Sequence, residues 1–346
     1  MAFANLPVRP PVPPMEAKLV EALPEGSTSD GGDWRFEPKW DGFRVLAFRD
    51  GDEVELQSKA EKPLGRYFPE LVELVRGLSA DRFVLDGEMI IPADGTISFD
   101  ALQMRLHPAE SRIRRLARET PARIVLFDCL AMEGEALIEA PLTRRREALE
   151  AFHDRAGGDL ILSPYTDDRA EAQGWLRGAG AALDGVIAKR ADAPYQPGER
   201  AMLKVKCLRT ADCVVGGFRY ASGKREVGSL LLGLYDDAGR LNHVGFTSAI
   251  PAAERSALTK KLEALVDPPG FTGAAPGGPS RWSTERSTEW QPLRPELVVE
   301  VRFDHVTGHR FRHGTGFLRW RPDKAPEQCR MEQLAPAAPL SMLEGL

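Results

Sequence analysis

The stretch Glu37-Pro38-Lys39-Trp40-Asp41-Gly42-Phe43-Arg44 places a lysine directly before an Asp-Gly turn, among the first predicted strands of the chain. A protonated lysine is a poor nucleophile, and burial or neighbouring positive charge frees its amine for attack. A lysine held before a turn at the mouth of a pocket is therefore a candidate covalent catalyst. Taken alone, the stretch is equally compatible with a surface lysine beside a β-turn.

Further along the chain, charged residues recur inside apolar segments or at their ends. A carboxylate inside a strand, as in Asp86-Gly87-Glu88, is costly unless it is paired or binds a ligand. Lys204 and Lys206 lie on one face of a predicted strand, and lysines that face inward need an anion such as phosphate. Taken singly, each stretch has an ordinary alternative: a bulge with exposed acids, a core phenylalanine at Phe127, or a solvated edge strand.

Together and in this order, these residues resemble the covalent nucleotidyltransferase superfamily, which comprises ATP-dependent DNA ligases, RNA ligases and mRNA capping enzymes. The resemblance extends from Trp34 to Glu327. Six stretches carry it, and they look like motifs I, III, IIIa, IV, V and VI of the superfamily: Lys39–Arg44, Asp86–Glu88, Val125–Asp128, Asp184–Lys189, Leu203–Lys206 and Arg321–Lys324.

Within the superfamily, the chain is most similar to bacterial ATP-dependent DNA ligases of the small ligase C type, through Tyr67–Leu71, Leu208–Cys213 and Gly228–Gly233. Two positions depart from the family pattern. Lys59 follows Ser58 where the family has arginine, and a lysine lacks the bidentate fork of that side chain. Asp184 stands where the family has glutamate, so its carboxylate is one methylene shorter.

The resemblance implies an α+β protein with an ATP-grasp-like nucleotidyltransferase (adenylation) domain over residues 1–208 and an OB-fold β-barrel domain over 209–346. The residue pattern agrees, because short strands follow Arg209 and one helix separates the third from the fourth of five, as in an OB-fold. Periodicity predicts helices over 67–78, 99–107, 109–118, 142–153, 168–177 and 252–266. Residues 1–30 are Pro-rich and predict a loosely packed, extended leader.

The activity that the resemblance implies is the sealing of 3′-hydroxyl/5′-phosphate nicks in duplex DNA, in three steps. Lys39 attacks the α-phosphate of ATP, the AMP passes to the DNA 5′-phosphate, and the 3′-hydroxyl displaces AMP. The family pattern carries over to these residues: nucleotide contacts by Glu37, Arg44, Lys59, Glu88, Phe127, Lys189, Lys204, Lys206, Arg321 and Lys324, and Mg²⁺ or Mn²⁺ ligands at Glu88 and Asp184. Arg321 and Lys324 would grip the β- and γ-phosphates after a hinge motion near Arg209.

Nicked duplex DNA is the partner that this activity requires, and its phosphates attract lysine and arginine. The candidate DNA contacts are Arg105, Arg112, Arg114, Arg115, Arg118, Lys224, Arg225, Arg310 and Arg312, although a solvated charged face is an alternative for each of them. A repair polymerase or end-joining proteins are candidate partners, and the family norm implies a monomer.

Composition is compatible with this interpretation. The chain has 346 residues, which suggests two domains, and its 42% hydrophobic and 28% charged content excludes a disordered or coiled-coil protein. No run of apolar residues could span a membrane, and the N-terminus has no targeting pattern, which predicts a cytoplasmic protein. The four scattered cysteines indicate reduced thiols. The net charge of −5 does not exclude DNA, because a local basic face is sufficient.

Three other functions remain open at this stage. An RNA ligase or an mRNA-capping-type guanylyltransferase would use the same lysine chemistry, on RNA ends or with GTP. A non-catalytic single-strand-binding module would instead stack bases on Trp282, Trp290 or Trp320.

Overall fold

The computed structural model describes residues 2–26, 33–93, 96–178, 183–277 and 289–335. Its residues divide into two compact units, the first ending at Cys207 and the second beginning at Leu208. None of the helices in these ranges is both long and apolar enough to cross a membrane. The four cysteines are buried free thiols.

In the part of the chain that the structure describes, the first unit combines twelve strands with five α-helices. Its strands are β1 (Ala17–Leu19), β2 (Trp34–Lys39), β3 (Phe43–Asp50), β4 (Glu53–Ser58), β5 (Arg82–Ile90), β6 (Pro92–Ala93), β7 (Thr96–Ile97), β8 (Arg123–Met132), β9 (Glu135–Ala136), β10 (Leu160–Leu162), β11 (Gly185–Arg190) and β12 (Met202–Lys206). Its α-helices are α1 (Pro69–Arg76), α2 (Phe99–Arg105), α3 (Glu110–Glu119), α4 (Leu142–Ala156) and α5 (Arg169–Gly178).

One sheet of this unit has the strand order β10-β8-β5-β3-β4 and is covered on both faces. Alternate residues of β3 point to opposite faces, as the period of two in a strand requires. Val45 and Ala47 pack in the cluster that holds the apolar side chains of α1 and α4, whereas Leu46 and Phe48 pack with the N-terminal segment. Burial on both faces explains why β3, β5 and β8 read as nearly continuous apolar runs.

The N-terminal segment corrects the prediction of a loosely packed leader. Phe3, Leu6, Val8 and Val12 are buried against the outer face of this sheet. The side chain of Gln57 accepts a hydrogen bond from the backbone N–H of Val12 and donates one to its carbonyl, at 2.9 and 2.6 Å. Prolines lower the number of backbone donors that need partners, so an extended Pro-rich segment can cover a core.

The second sheet of the first unit has the order β1-β12-β11-β2 and brings three of the predicted motifs together. β11 pairs antiparallel with both neighbours, so Gly185 lies opposite Lys39 on one side and Ile187 lies opposite Lys204 on the other. Helix α5 covers this sheet through Ala172 and Trp175. Strands that are far apart in the sequence thus deliver lysines to one region.

Several helices are shorter than periodicity predicts, and proline explains two of the boundaries. Helix α2 ends at Arg105 rather than at 107, and His107 precedes Pro108, a position where helical backbone is disfavoured. Helix α1 begins at Pro69, because proline suits the first turn of a helix, where its missing N–H is not needed.

The second unit is built on strands β13 (Arg209–Tyr220), β14 (Val227–Tyr235), β15 (Leu241–Thr247), β16 (Gln291–Pro292), β17 (Val298–Phe303), β18 (Val306–Thr307), β19 (Arg310–Phe311) and β20 (Gly316–Trp320), with helix α6 (Arg255–Glu263). The five longest strands have the order β15-β14-β13-β17-β20, and α6 follows β15.

This arrangement agrees with an OB-fold whose barrel is only partly closed. Within the described ranges no ladder joins β15 to β20, the two ends of the sheet. A single bridge between Thr247 and Thr315 links the end of β15 to the residue before β20, and the Thr247 hydroxyl donates to the Thr315 carbonyl at 2.8 Å.

Candidate active site

A cavity of about 840 Å³ opens in the first unit and is lined by residues of both sheets. Most of the predicted nucleotide contacts of this unit line it: Glu37, Lys39, Arg44, Lys59, Glu88, Phe127, Lys189 and Lys204. Pro14, Met15 and Glu16 of the N-terminal segment complete part of the wall. A cavity of this volume is large enough for a nucleotide.

Lys39, the last residue of β2, is held through its own carbonyl and through the residue that follows it. Its carbonyl accepts a hydrogen bond of 2.8 Å from the N–H of Asp184. The next residue, Trp40, is only 4% exposed and donates its indole N–H to the hydroxyl of Ser163 at 2.9 Å. The Lys39 ammonium forms an ion pair with the Asp184 carboxylate. The backbone around Lys39 is therefore rigid, and its ammonium is positioned by the ion pair with Asp184.

Two more lysines lie on strand β12, which β11 separates from β2 in the sheet. The ammonium of Lys206 is 3.7 Å from a carboxylate oxygen of Asp184, so one acid faces two lysines. Burial lowers the pKa of Lys204, and the positive charges of Lys39, Lys59 and Lys206 lower it further. An excess of positive charge around a single carboxylate favours binding of an anion, and phosphate suits it.

Glu37 and Lys189 form a buried ion pair of 2.7 Å, with their side chains 3% and 5% exposed. The Lys189 ammonium also lies 4.8 Å from the centre of the Phe127 ring. The second carboxylate oxygen of Glu37, Oε1, is buried and has no hydrogen-bond donor among the described residues. A buried acceptor without a donor is costly, and Glu37 is one of the residues that line the cavity.

Glu88 lies beside the Asp-Gly turn of the first motif and accepts a hydrogen bond of 3.2 Å from the N–H of Gly42. Burial raises its pKa to about 7, while the charges of Lys39 and Arg44 oppose that shift. Glycine is required at position 42, because a Cβ there would lie 2.1 Å from the carbonyl oxygen of Met89.

Arg44 makes a paired contact that the sequence did not predict. Its Nε and Nη2 each lie 2.5 Å from a carboxylate oxygen of Asp86, which is fully buried. Its Cζ lies 4.6 Å from the centre of the Phe127 ring.

Lys59, another predicted nucleotide contact, is 61% exposed at the cavity rim, and its ammonium lies 3.1 Å from a carboxylate oxygen of Glu16.

The two predicted polyphosphate contacts lie in the second unit and share one acid. Arg321 and Lys324 bind the two carboxylate oxygens of Asp212 at 2.8 and 2.7 Å. Arg321 also binds Asp323 at 2.9 Å. Asp212 is 9% exposed, so these cations neutralise an acid that burial would otherwise penalise.

The predicted DNA contacts are placed very differently from one another. Arg105 is fully buried and binds Glu70 at 2.7 Å, so this arginine is a core residue and cannot contact DNA. Arg114, Arg115 and Arg118 are exposed on α3, whose buried face holds Ile113 and Leu116, and Arg112 is half-buried. In the second unit Lys224, Arg225 and Arg310 are exposed, and Arg312 is half-buried. Trp282, a candidate stacking residue, lies outside the described residues.

Comparison with known proteins identifies the family. Residues 14–206 match the family model of the ATP-dependent DNA ligase domain, and residues 223–324 match that of the ATP-dependent DNA ligase C-terminal region. The chain belongs to the ATP-dependent DNA ligase family. The prediction of an adenylation domain followed by an OB-fold domain, and of an ATP-dependent DNA ligase, is confirmed.

Two relatives are similar to the ligase over nearly their whole lengths. DNA ligase C2 of Mycolicibacterium smegmatis is 49% identical, with 95% of this chain and 96% of that protein covered. DNA ligase C of Mycobacterium tuberculosis is 48% identical, with 95% of each covered. A solved structure of a Lig E DNA ligase has a TM-score of 0.52 and 17% identity, covering 87% of this chain and 100% of that one, and supports the fold alone.

Proposed function

We propose that the ligase seals nicks in duplex DNA through a covalent lysyl-AMP intermediate on Lys39. The observation that carries this proposal is a lysine held through its own carbonyl and through the following residue, with its amine among Lys204, Lys206 and Asp184 at the wall of a nucleotide-sized cavity. The amine attacks the α-phosphorus of ATP as the bond to pyrophosphate breaks. The DNA 5′-phosphate then takes the AMP, and the 3′-hydroxyl displaces it.

ATP is the donor that the cavity wall fits best. Glu37 lines the cavity, its Oε1 is a buried acceptor that has no donor in the described part of the chain, and the exocyclic amine of adenine supplies an N–H. Guanine presents a carbonyl at the corresponding position of its ring, which would face a carboxylate without a hydrogen bond. We therefore assign adenine recognition to Glu37, ring contact to Phe127, and sugar contact to Arg44 and Glu88.

Glu88 and Asp184 suit Mg²⁺ or Mn²⁺ as ligands. The described residues include no group of three or more His, Cys, Asp or Glu side chains that could form a complete metal site. Two carboxylates that share a cation with substrate phosphates are typical of Mg²⁺ sites in phosphoryl-transfer enzymes. A bound cation would neutralise charge on the phosphates, while Lys189, Lys204 and Lys206 surround the α-phosphate.

Arg321 and Lys324 supply the charge for the leaving pyrophosphate in this proposal. They belong to the second domain, assigned to residues 209–346, and we propose a hinge near Arg209 through which they act on ATP bound in the first domain, 1–208. Transfer of a phosphoryl-type group depends mainly on positioning and charge neutralisation, which is the task of these two cations.

The substrate proposed for the completed site is a nick with adjacent 3′-hydroxyl and 5′-phosphate ends. Such ends result when a polymerase fills a gap or when two broken ends are aligned, so a repair polymerase or end-joining proteins are the partners we propose. We further propose that the ligase acts as a monomer in the cytoplasm in DNA repair.

Incubation of the purified protein with α-labelled ATP or GTP and Mg²⁺, followed by a denaturing gel, tests the covalent step. We expect an acid-labile label from ATP and none from GTP. Label from GTP alone would favour a guanylyltransferase. If mass spectrometry shows unmodified protein and neither nucleotide labels it, the covalent mechanism is wrong. Nicked DNA and nicked RNA duplexes then separate a DNA ligase from an RNA ligase.

Charge reversal on α3 should weaken binding to nicked DNA in a salt-dependent way. Arg114 and Arg115 are 68% and 61% exposed, and among the described residues their ion pairs are with Glu110 and Glu119 of their own helix. Replacing both with glutamate should lower the slope of log affinity against log salt by about 2, because each phosphate contact contributes about 0.9. The measurement is a salt titration of binding to a labelled nicked duplex.

The control carries the same two changes on another helix. Arg144 and Arg155 are exposed residues of α4, and neither belongs to the proposed DNA contacts. We expect Arg144→Glu with Arg155→Glu to leave the slope within about 0.5 of the wild-type value. An equal loss of slope in both double variants would indicate a net-charge effect and remove α3 from the proposed DNA surface.

A further inference from the structure

A buried hydrogen-bond network lies behind the cavity and is centred on Asp86. This aspartate has no exposed surface, and Arg44 occupies both of its oxygens through Nε and Nη2. The geometry is a bidentate fork, which fixes the plane of the guanidinium as well as its position. Arg44 is one of the residues that line the cavity, and within the described ranges no hydrogen bond uses its Nη1.

Tyr195 joins this network from a segment that none of the sequence motifs includes. Its hydroxyl donates to Oδ2 of Asp86 at 2.6 Å and accepts a hydrogen bond of 2.9 Å from the backbone N–H of Met15. The side chain is 2% exposed. Burial and the charge of Asp86 raise the pKa of Tyr195 well above its usual value, so the hydroxyl keeps the proton that it donates.

The network therefore connects two parts of the cavity wall. Met15 lines the cavity on the N-terminal segment, and its carbonyl accepts a long contact of 3.4 Å from Nη2 of Arg44. Tyr195, Asp86, Arg44 and Met15 form a closed ring of polar contacts. Both hydrogen bonds of the tyrosine depend on its hydroxyl, whereas the packing of its ring does not.

We propose that Tyr195 is a positioning residue for Arg44, holding the guanidinium and the Met15 segment in the arrangement that binds the nucleotide sugar. The proposal rests on the proposed function, in which Arg44 contacts the sugar of ATP. Without the hydroxyl, Asp86 and Arg44 keep their bidentate pair, but Oδ2 of Asp86 loses the hydrogen bond from Tyr195 and the backbone N–H of Met15 loses its acceptor. The Asp86–Arg44 pair is then no longer tied through the tyrosine to the Met15 segment, and it can shift as a unit relative to that part of the cavity wall.

Tyr195→Phe tests this proposal through the kinetics of lysine adenylation. We expect the ATP concentration at half-maximal rate to rise about tenfold, because hydrogen bonds to charged groups are among the stronger ones. The maximal rate should stay within about twofold of wild type, since the α-phosphate contacts are intact. Selectivity for ATP over 2′-deoxyATP should fall, because the sugar contact is the one affected.

Tyr220→Phe is the matched control. Tyr220 also donates its hydroxyl to a carboxylate, that of Glu263 at 2.8 Å, but it lies in the second unit. We expect this variant to leave all three kinetic quantities unchanged. A merely structural Tyr195 would lower the unfolding temperature without changing the half-maximal ATP concentration or the selectivity for the sugar, and that outcome would overturn the proposal.

A double-mutant cycle links the effect to Arg44. Calorimetric ATP affinity is measured for wild type, Tyr195→Phe, Arg44→Lys and the double variant; lysine keeps the charge beside Asp86 but not the fork. We expect Tyr195→Phe to weaken binding about tenfold with Arg44 present and less than about twofold with Lys at 44. Equal effects in both backgrounds would refute the positioning role. Failure of wild-type protein to bind or incorporate ATP would instead refute the proposed function.

Discussion

Replacing Lys39 with alanine is expected to abolish labelling by ATP and to lower nick sealing from ATP by about 10⁴-fold or more, the scale of losing a covalent nucleophile. No neighbouring amine can substitute for it. Lys204 and Lys206 lie on another strand, whereas Lys39 is fixed by the Asp184 hydrogen bond and by the Trp40 anchor. Gel labelling and single-turnover sealing measure the two losses.

A second substrate makes the Lys39 experiment selective for the covalent step. A nick that already carries AMP on its 5′-phosphate needs no bond to lysine, so Lys39→Ala should seal it far better than it seals a nick with ATP. The fold should survive the change, because Lys206 remains near Asp184 and keeps that acid paired.

Lys18→Ala is the control, since Lys18 is an exposed lysine outside the cavity lining and should label normally. Normal labelling of Lys39→Ala would place the adenylated residue elsewhere and refute the assignment.

The sequence predicted the family, the order of the domains and eight of the residues that line the cavity, because those features rest on short motifs. Lys39 through Arg44 are contiguous, and Lys204 and Lys206 share a face by the period of a strand. The pairing of β2, β11 and β12 then brings these motifs together. Local patterns of this kind can be recognised in the sequence without knowledge of the tertiary structure.

Long-range polar partners were beyond sequence reasoning for a physical reason. Tyr195 is 109 residues from Asp86 and 180 from Met15, and a single tyrosine carries no periodic signal. Ser163, which anchors Trp40, is 123 residues away from it. Asp86 was recognised as part of a motif, but the side chain that pairs with it depends on the register between β3 and β5.

Two predictions were wrong because they inferred the burial of a residue or segment from its amino-acid type alone. The sequence places Arg105 among the candidate DNA contacts, together with the arginines that follow it. In the structure it lies at the end of α2, where its guanidinium is buried, forms an ion pair with Glu70 and donates hydrogen bonds to backbone carbonyls. The Pro-rich N-terminus was expected to pack loosely, yet its apolar residues alternate with prolines and cover a sheet.

The last expected result concerns the two cations of the second domain. Removing the charges of Arg321 and Lys324 should lower lysine adenylation by about 10³-fold, the scale associated with arginine groups that stabilise phosphoryl transfer. Sealing of a nick that already carries AMP should stay within about threefold of wild type, because pyrophosphate leaves only in the first step. Rapid-quench assays of the two steps measure this separation.

The design must keep Asp212 from becoming an unpaired buried acid. Both of its oxygens bind the two cations, and breaking a buried pair from one side costs about 3–5 kcal/mol. The test variant therefore combines Arg321→Gln and Lys324→Gln with Asp212→Asn, which leaves amides in place of the ion pairs. Asp212→Asn alone reports the effect of the acid, and its two cations remain present.

Arg319→Gln is the charge-matched control, because Arg319 lies two residues before Arg321, is 65% exposed and pairs with Glu300 at 2.6 Å. It should leave both steps unchanged. Equal losses in adenylation and in sealing of the adenylated nick by the triple variant would show that these cations serve DNA binding or folding. Loss confined to adenylation, with Asp212→Asn close to wild type, would show that they act on the leaving pyrophosphate, since no later step of the reaction contains that group.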